Sequence, residues 1–270
     1  MSKKVQFVVW VIIAIAVFLL IGLFVYNTAI RTNNDVEHPE ITFEIENYGT
    51  VKMELYPEYA PNTVANMIKL VESGYYNNKV IYGKDDICLY VGRDSEGEDE
   101  APTMSVISSE IEKDSEADYK YTIAGEFVAN GFEQNTLRHE KGIITLIRND
   151  YTQYISGLAE ESYNSGNAQI GIMMSENSSA LNGAYAAFGK VTVGLDILEN
   201  IYNNAEMQTS ETTEETEETS TDDIEQFATY PVITSATVDT KGEDYGMPET
   251  QEAFDYESYM YDLMSTYYSN

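Results

Sequence analysis

Ile41, Phe43 and Ile45 alternate with polar neighbours, and Val51, Met53 and Leu55 repeat the pattern. Successive side chains of a strand point to opposite faces, so a period of two commits each run to a half-buried strand. Asn47-Tyr48-Gly49 between them carries turn chemistry, and the two runs are predicted to form a hairpin.

Pro61-Asn62-Thr63 then opens a helix on which Val64, Met67, Ile68 and Val71 share a face, and Gly74 sits where such a helix ends. Further strand signals fall at residues 80–82, 88–91, 121–123, 142–147, 170–174, 186–191 and 230–238. Leu195, Leu198 and Ile201 mark a second short helix after Gly194. Residues 93–118 are acidic and aperiodic and read as a long surface loop. Residues 208–223 are almost entirely Ser, Thr, Glu and Asp, too polar to offset the entropy of ordering them. In the acidic, tyrosine-rich tail, Tyr256, Tyr259, Met260, Leu263 and Tyr267 share one helical face, which predicts a short helix packed on its own domain. Many short strands with two helices and no strand–helix–strand rhythm predict a mainly β fold, a closed antiparallel barrel capped by two helices.

Residues 7–26 form an apolar run without a charge. As a helix, about 20 residues span about 30 Å, the thickness of a bilayer core. Lys3 and Lys4 precede it and are expected on the cytoplasmic side, which leaves the rest of the chain outside. A cleaved signal peptide is the rival reading, although Tyr26-Asn27-Thr28-Ala29 makes a poor cleavage site. The expected organisation is an anchor over 1–27, a linker over 28–40, one domain over 41–242 and a tail over 243–270. The expected location is the cell membrane, single-pass, with an extracytoplasmic C-terminal domain.

Forty-six acids against 15 Lys and Arg give a net charge of −31, which repels phosphate backbones and excludes nucleic-acid binding. Cys88 is the single cysteine, so no intramolecular disulfide forms. His38 and His139 stand far apart without a ligand cluster, and the acidic run 94–100 has its glycine misplaced for a calcium loop. No metal or other cofactor is expected.

Two stretches carry a resemblance: Leu55-Tyr56-Pro57-Glu58-Tyr59-Ala60-Pro61-Asn62-Thr63-Val64, and Leu181-Asn182-Gly183-Ala184-Tyr185-Ala186-Ala187-Phe188-Gly189-Lys190-Val191. With Gly125-Glu126-Phe127 and Asn164-Ser165-Gly166 in order between them, they resemble the cyclophilins over about residues 41–242, with insertions at 149–163 and 205–228. The resemblance implies a peptidyl-prolyl cis-trans isomerase acting on proline-containing polypeptides, and a monomer is expected. Rotation about an X-Pro bond must break amide resonance, a barrier of about 18–20 kcal/mol. Catalysis therefore needs an apolar groove for the ring and donors that favour the twisted amide. In cyclophilins an arginine of a Phe-His-Arg segment is the donor; here that segment aligns with Ile81-Tyr82-Gly83, so its place is Gly83. The floor phenylalanine becomes Cys88, a second floor aromatic becomes Gly171, and a Met-Ala-Asn strand becomes Leu146-Ile147-Arg148. The expected catalytic residues are Gln169 and Arg148, with Arg93 the other guanidinium near the groove. The expected substrate-binding residues are Leu89, Ile147, Gly171, Leu181 and Tyr185. Two functions follow: an isomerase of weak or altered activity that assists the folding of exported proteins, and a silent module that binds peptides or proteins at the membrane surface.

Overall fold

The hairpin forms as its alternation dictates. In the computed structural model, which describes residues 37–97, 101–176, 178–208 and 224–268, β1 (Glu40–Ile45) pairs antiparallel with β2 (Gly49–Leu55). Ile41, Phe43, Val51 and Met53 are all buried, and Asn47 and Gly49 take the positive φ the turn requires. The apolar run at 7–26 and the polar run at 209–223 lie outside the described residues. Among the described residues no helix is long and apolar enough to cross a membrane.

The remaining strands of the main sheet are β3 (Val80–Lys84), β4 (Cys88–Arg93), β6 (Ile143–Leu146), β7 (Ile170–Met173), β8 (Ala187–Val193), β9 (Glu225–Gln226) and β10 (Ile233–Asp239). Their order is β10-β1-β2-β8-β6-β7-β4-β3-β9. The sheet curls into an antiparallel half-barrel, and the start of β3 meets the start of β10 at the isolated bridge Val80 to Val232, flanked by Ile81 N–H donating to the Pro231 carbonyl at 3.0 Å and by Ile233 N–H donating to the Lys79 carbonyl at 2.8 Å. The predicted closed barrel is thus corrected to a curl. Beyond the bridge, the edge of β3 pairs Gly83 with Gln226 and Lys84 with Glu225 of β9, so a continuous β3–β10 ladder does not form.

Two helices cover the curl. Helix α1 (Pro61–Glu72) buries Val64, Met67, Ile68 and Val71 in the interior cluster, and α4 (Leu195–Asn204) buries Leu198 and Ile201 there. Between them lie two short helices, α2 (Met104–Ile107) and α3 (Ala159–Tyr163). Helix α2 corrects the loop expected at 93–118. Met104 and Ile107 pin that segment to the interior cluster, a pair too sparse to register as a period.

The first turn of α1 has no cap of its own, and Glu126 supplies one from 63 residues away. Its carboxylate accepts from Asn62 N at 2.9 Å, Thr63 N at 2.7 Å and the Thr63 hydroxyl at 2.7 Å. Burial pushes the Glu126 carboxyl above its ordinary value despite the three donors.

The tail is fastened first through Asn62, which exchanges two bonds with the Glu249 backbone, Nδ2 to O at 2.9 Å and N to Oδ1 at 2.7 Å. Next, β11 (Gln251–Glu252) pairs with β5 (Tyr121–Thr122). Helix α5 (Tyr256–Tyr268) follows, as the tail's apolar spacing predicts, but only its beginning packs on the domain. Leu263 and Tyr267 of the expected packing face are 48 % and 80 % exposed. The helix runs past the edge of the surface it starts on.

Glu126→Ala is expected to cost about 2–3 kcal/mol, because it strips three donors at the start of α1 of a charged acceptor. Urea unfolding at neutral pH measures it; a loss below about 0.5 kcal/mol would show that water replaces the carboxylate.

Candidate functional site

Strand alternation divides the central strands between two faces. Leu89 and Val91, Ile144 and Leu146, Ile170 and Ile172, and Phe188 point into the interior cluster. Cys88, Ile143, Met173 and Ala187 form a second, smaller apolar cluster on the opposite face. Above that cluster lies a groove of about 630 Å³, lined in part by Tyr82, Cys88, Tyr90, Ile147, Leu181 and Tyr185.

Of the expected binding residues, Ile147, Leu181 and Tyr185 line this groove. Leu89 does not: its parity on β4 turns it into the interior, fully buried. Gly171 contributes space and no contact. A Cβ there would meet Cys88 Sγ at 2.6 Å, Ile147 Cδ1 at 2.9 Å and Thr145 Cγ2 at 3.3 Å. Cys88 and Ile147 thus pack into the volume that a side chain at 171 would take. Burial pushes the Cys88 thiol well up, so it serves as a small apolar floor group.

Gly83 is equally constrained from the other side. A Cβ at this position would lie 2.6 Å from the Glu225 carbonyl and 2.8 Å from Ile224 Cγ2. β9 runs across the place a side chain would leave from, and Ile224 itself lines the groove. The 205–228 insertion is therefore a paired stem at its base: Gln208 N donates to Gln226 O at 2.9 Å and Ala228 N to Glu206 O at 2.8 Å, with Phe227 fully buried. Ile224 and Phe227, apolar residues beside an acidic run, were the sequence signal for this strand.

Gln169 lies in the groove, and its Oε1 accepts from the Tyr82 hydroxyl at 2.6 Å. The Arg93 guanidinium lies 4.1 Å over the Tyr82 ring. Its Nη1 makes a long bond of 3.4 Å to Gly97 O, and its Nε is buried with no acceptor among the described residues. Arg148 also lines the groove but is more committed. Its Nε donates to Ala184 O at 3.2 Å and its Nη1 to Asn149 O at 3.3 Å, and it stacks 4.5 Å from the Tyr185 ring. The groove thus unites Gln169, Arg93, Arg148 and Tyr185 on an apolar floor, a set that can hold an extended peptide and donate to a twisted amide.

A family model described as cyclophilin type peptidyl-prolyl cis-trans isomerase/CLD matches residues 40–227. The chain belongs to this family. Peptidyl-prolyl cis-trans isomerase B of Bacillus subtilis (strain 168) is 29 % identical over 166 residues, 62 % of this chain and 92 % of the relative. Peptidyl-prolyl cis-trans isomerase CYP23 of Arabidopsis thaliana is 29 % identical over 154 residues, 57 % of this chain and 56 % of the relative. A crystal structure of a cyclophilin type isomerase from Cryptosporidium parvum, determined in the presence of the dipeptide Ala-Pro, shares the fold with a TM-score of 0.51 at 18 % identity. It covers 74 % of this chain and 98 % of that one.

In this cyclophilin a buried histidine ties the groove wall to its floor, which sequence reasoning missed. His139 Nδ1 lies 3.1 Å from Asn182 Oδ1, in the loop between Leu181 and Tyr185, and Nε2 lies 3.1 Å from the Thr145 hydroxyl on β6. Burial pushes its pKa below the usual 6.5, against the Asn182 bond.

Two outcomes follow. Gly83→Ala is expected to displace β9 and cost about 1–3 kcal/mol in urea unfolding, since the obstructing atom is backbone; an unchanged midpoint would mean the stem yields freely. For His139 the folded form stays neutral, while the unfolded chain takes up a proton as pH falls through about 6.5. Its contribution is therefore complete above that pH and is lost as pH falls towards the depressed folded value. The drop in stability between about pH 7.5 and about pH 5.5 should be smaller in His139→Gln than in the unaltered protein. Equal drops would clear His139 of this role.

Proposed function

We propose that this cyclophilin isomerises X-Pro bonds in exported polypeptides at the outer face of a membrane, with a donor set moved away from the usual strand position. Three supports combine: family membership, the apolar run at 7–26 behind Lys3 and Lys4, and the groove's own donors. The observation that carries the catalytic part is Arg93 Nε, which with the Thr122 hydroxyl is one of two buried side-chain polar atoms left without a partner among the described residues. Leaving such a group unpaired costs about 1–3 kcal/mol, and a shift of the Arg93 head towards a bound amide would recover part of it. On this reading Arg93 and Gln169 favour the twisted amide, Arg148 and Tyr185 hold the peptide chain, and Ile147 and Leu181 take the proline ring.

A second reading is a peptide-binding module without turnover. The crossing of β9 over Gly83 favours it, because the side chain that makes the family's usual contact has no room there.

The test times cis-to-trans conversion of a prolyl peptide. The uncatalysed process takes tens to hundreds of seconds. Catalysis should exceed it, and Arg93→Ala should lower kcat about 10- to 100-fold, the value of one charged hydrogen bond. Gln169→Ala should lower kcat about fivefold to tenfold, and Arg148→Ala should chiefly raise KM. A rate equal to the protein-free control eliminates the enzyme and leaves the binding module.

A further inference from the structure

The two segments that distinguish this chain at the groove, the 149–163 insertion and the tail, meet at one end of it. The tail is already held by its bonds to Asn62 and by β11, and Ala253 N donates to Lys120 O at 2.8 Å. That zipper delivers Tyr256 onto Tyr151 in a near-parallel stack, centroids 5.1 Å apart at 11°. Tyr154 stands 6.0 Å from Tyr256, and Tyr151 and Phe254 meet edge to face at 5.4 Å. Tyr151, Tyr154 and Tyr256 line the same groove as Gln169 and Arg148. A cluster that served only to anchor the tail would bury its rings, yet Tyr154 is left 57 % exposed. Rings of this kind offer a rigid apolar face at small entropic cost. The floor, meanwhile, carries Cys88 and Gly171 and so holds no aromatic at those positions.

We infer that Tyr151, Tyr154 and Tyr256 form an aromatic subsite that receives an aromatic side chain of the client peptide near its proline, so that this isomerase selects prolines flanked by such a residue. The inference rests on the peptide-binding role of the groove proposed above.

The test uses the full chain in detergent micelles and peptides with Phe, Lys or Ala at each position within about three residues of the proline. Turnover is measured first, and the same peptides, labelled, are titrated by fluorescence anisotropy. At one position Phe should exceed Ala about threefold to tenfold in kcat/KM and in affinity. That ratio should fall to about one in Tyr256→Ala and Tyr154→Ser and persist in Tyr256→Phe. It should also persist in Tyr261→Ala, a residue 74 % exposed on the far part of α5. A ratio near one in the unaltered protein overturns the subsite, as does a ratio that survives both losses of a ring or a preference for Lys over Phe. A Phe preference in binding without turnover sinks the isomerase reading and leaves the subsite standing. Absence of all binding removes both.

Discussion

Side-chain parity on the curled sheet is the constraint from which the rest of the molecule follows. Each central strand gives alternate residues to the interior and the others to the outer face, where the groove lies. Core and site are therefore two sides of the same four strands. A change on one face leaves the other intact, which explains how the groove floor diverges while the interior stays continuous from Ile41 to Ala236. Cys88, Gly171 and Ile147 show the outcome. Two positions have become small, Ile147 Cδ1 leans towards the vacated volume, and the floor remains packed and apolar.

Legibility from sequence followed the distance over which each feature is determined. The β1–β2 hairpin and α1 depend on neighbours within a dozen residues, and their alternation and helical period could be read directly. The resemblance places Leu89 in the groove, whereas it lies in the interior, and local alternation offers no check because every residue from Cys88 to Val91 is apolar or aromatic. The stem at 206–228 was hidden for another reason: an acidic run dominated the window, and Ile224 and Phe227 are too few to outweigh it. The contacts of Glu126 with Asn62 and Thr63, and of Tyr256 with Tyr151, join residues far apart in the chain and leave no local period. Gln169, Arg148, Ile147, Leu181 and Tyr185 reached the groove because the resemblance carried their register, something composition alone does not contain.

The glycine at 83 reads differently once β9 is in view. By alignment it is a missing arginine. By geometry it is a requirement, since Glu225 O and Ile224 Cγ2 stand where a side chain would begin. The insertion and the glycine form one device: a strand added at the edge of β3 needs a residue without a side chain beneath it. Restoring arginine at 83 alone would set the side chain against the strand's backbone.

The proposed use of Arg93 as the donor fits the groove because β3 and β4 are hydrogen-bonded neighbours. Val80 pairs with Arg93, and the register slips between Ile81 and Gly83, so the end of β4 comes alongside Tyr82. A guanidinium rooted there has reach enough to cover the Tyr82 ring, whose hydroxyl is already bonded to Gln169. The stack fixes the planar head while leaving its Nε without an acceptor among the described residues. Preorganisation of this kind is what transition-state stabilisation demands, because a donor held in place by its neighbours reorganises little when the amide twists. Arg148, tied to two backbone carbonyls and flanked by aromatic rings, has the rigidity without the same freedom to donate, a contrast that supports the different tasks proposed for the two guanidinium groups.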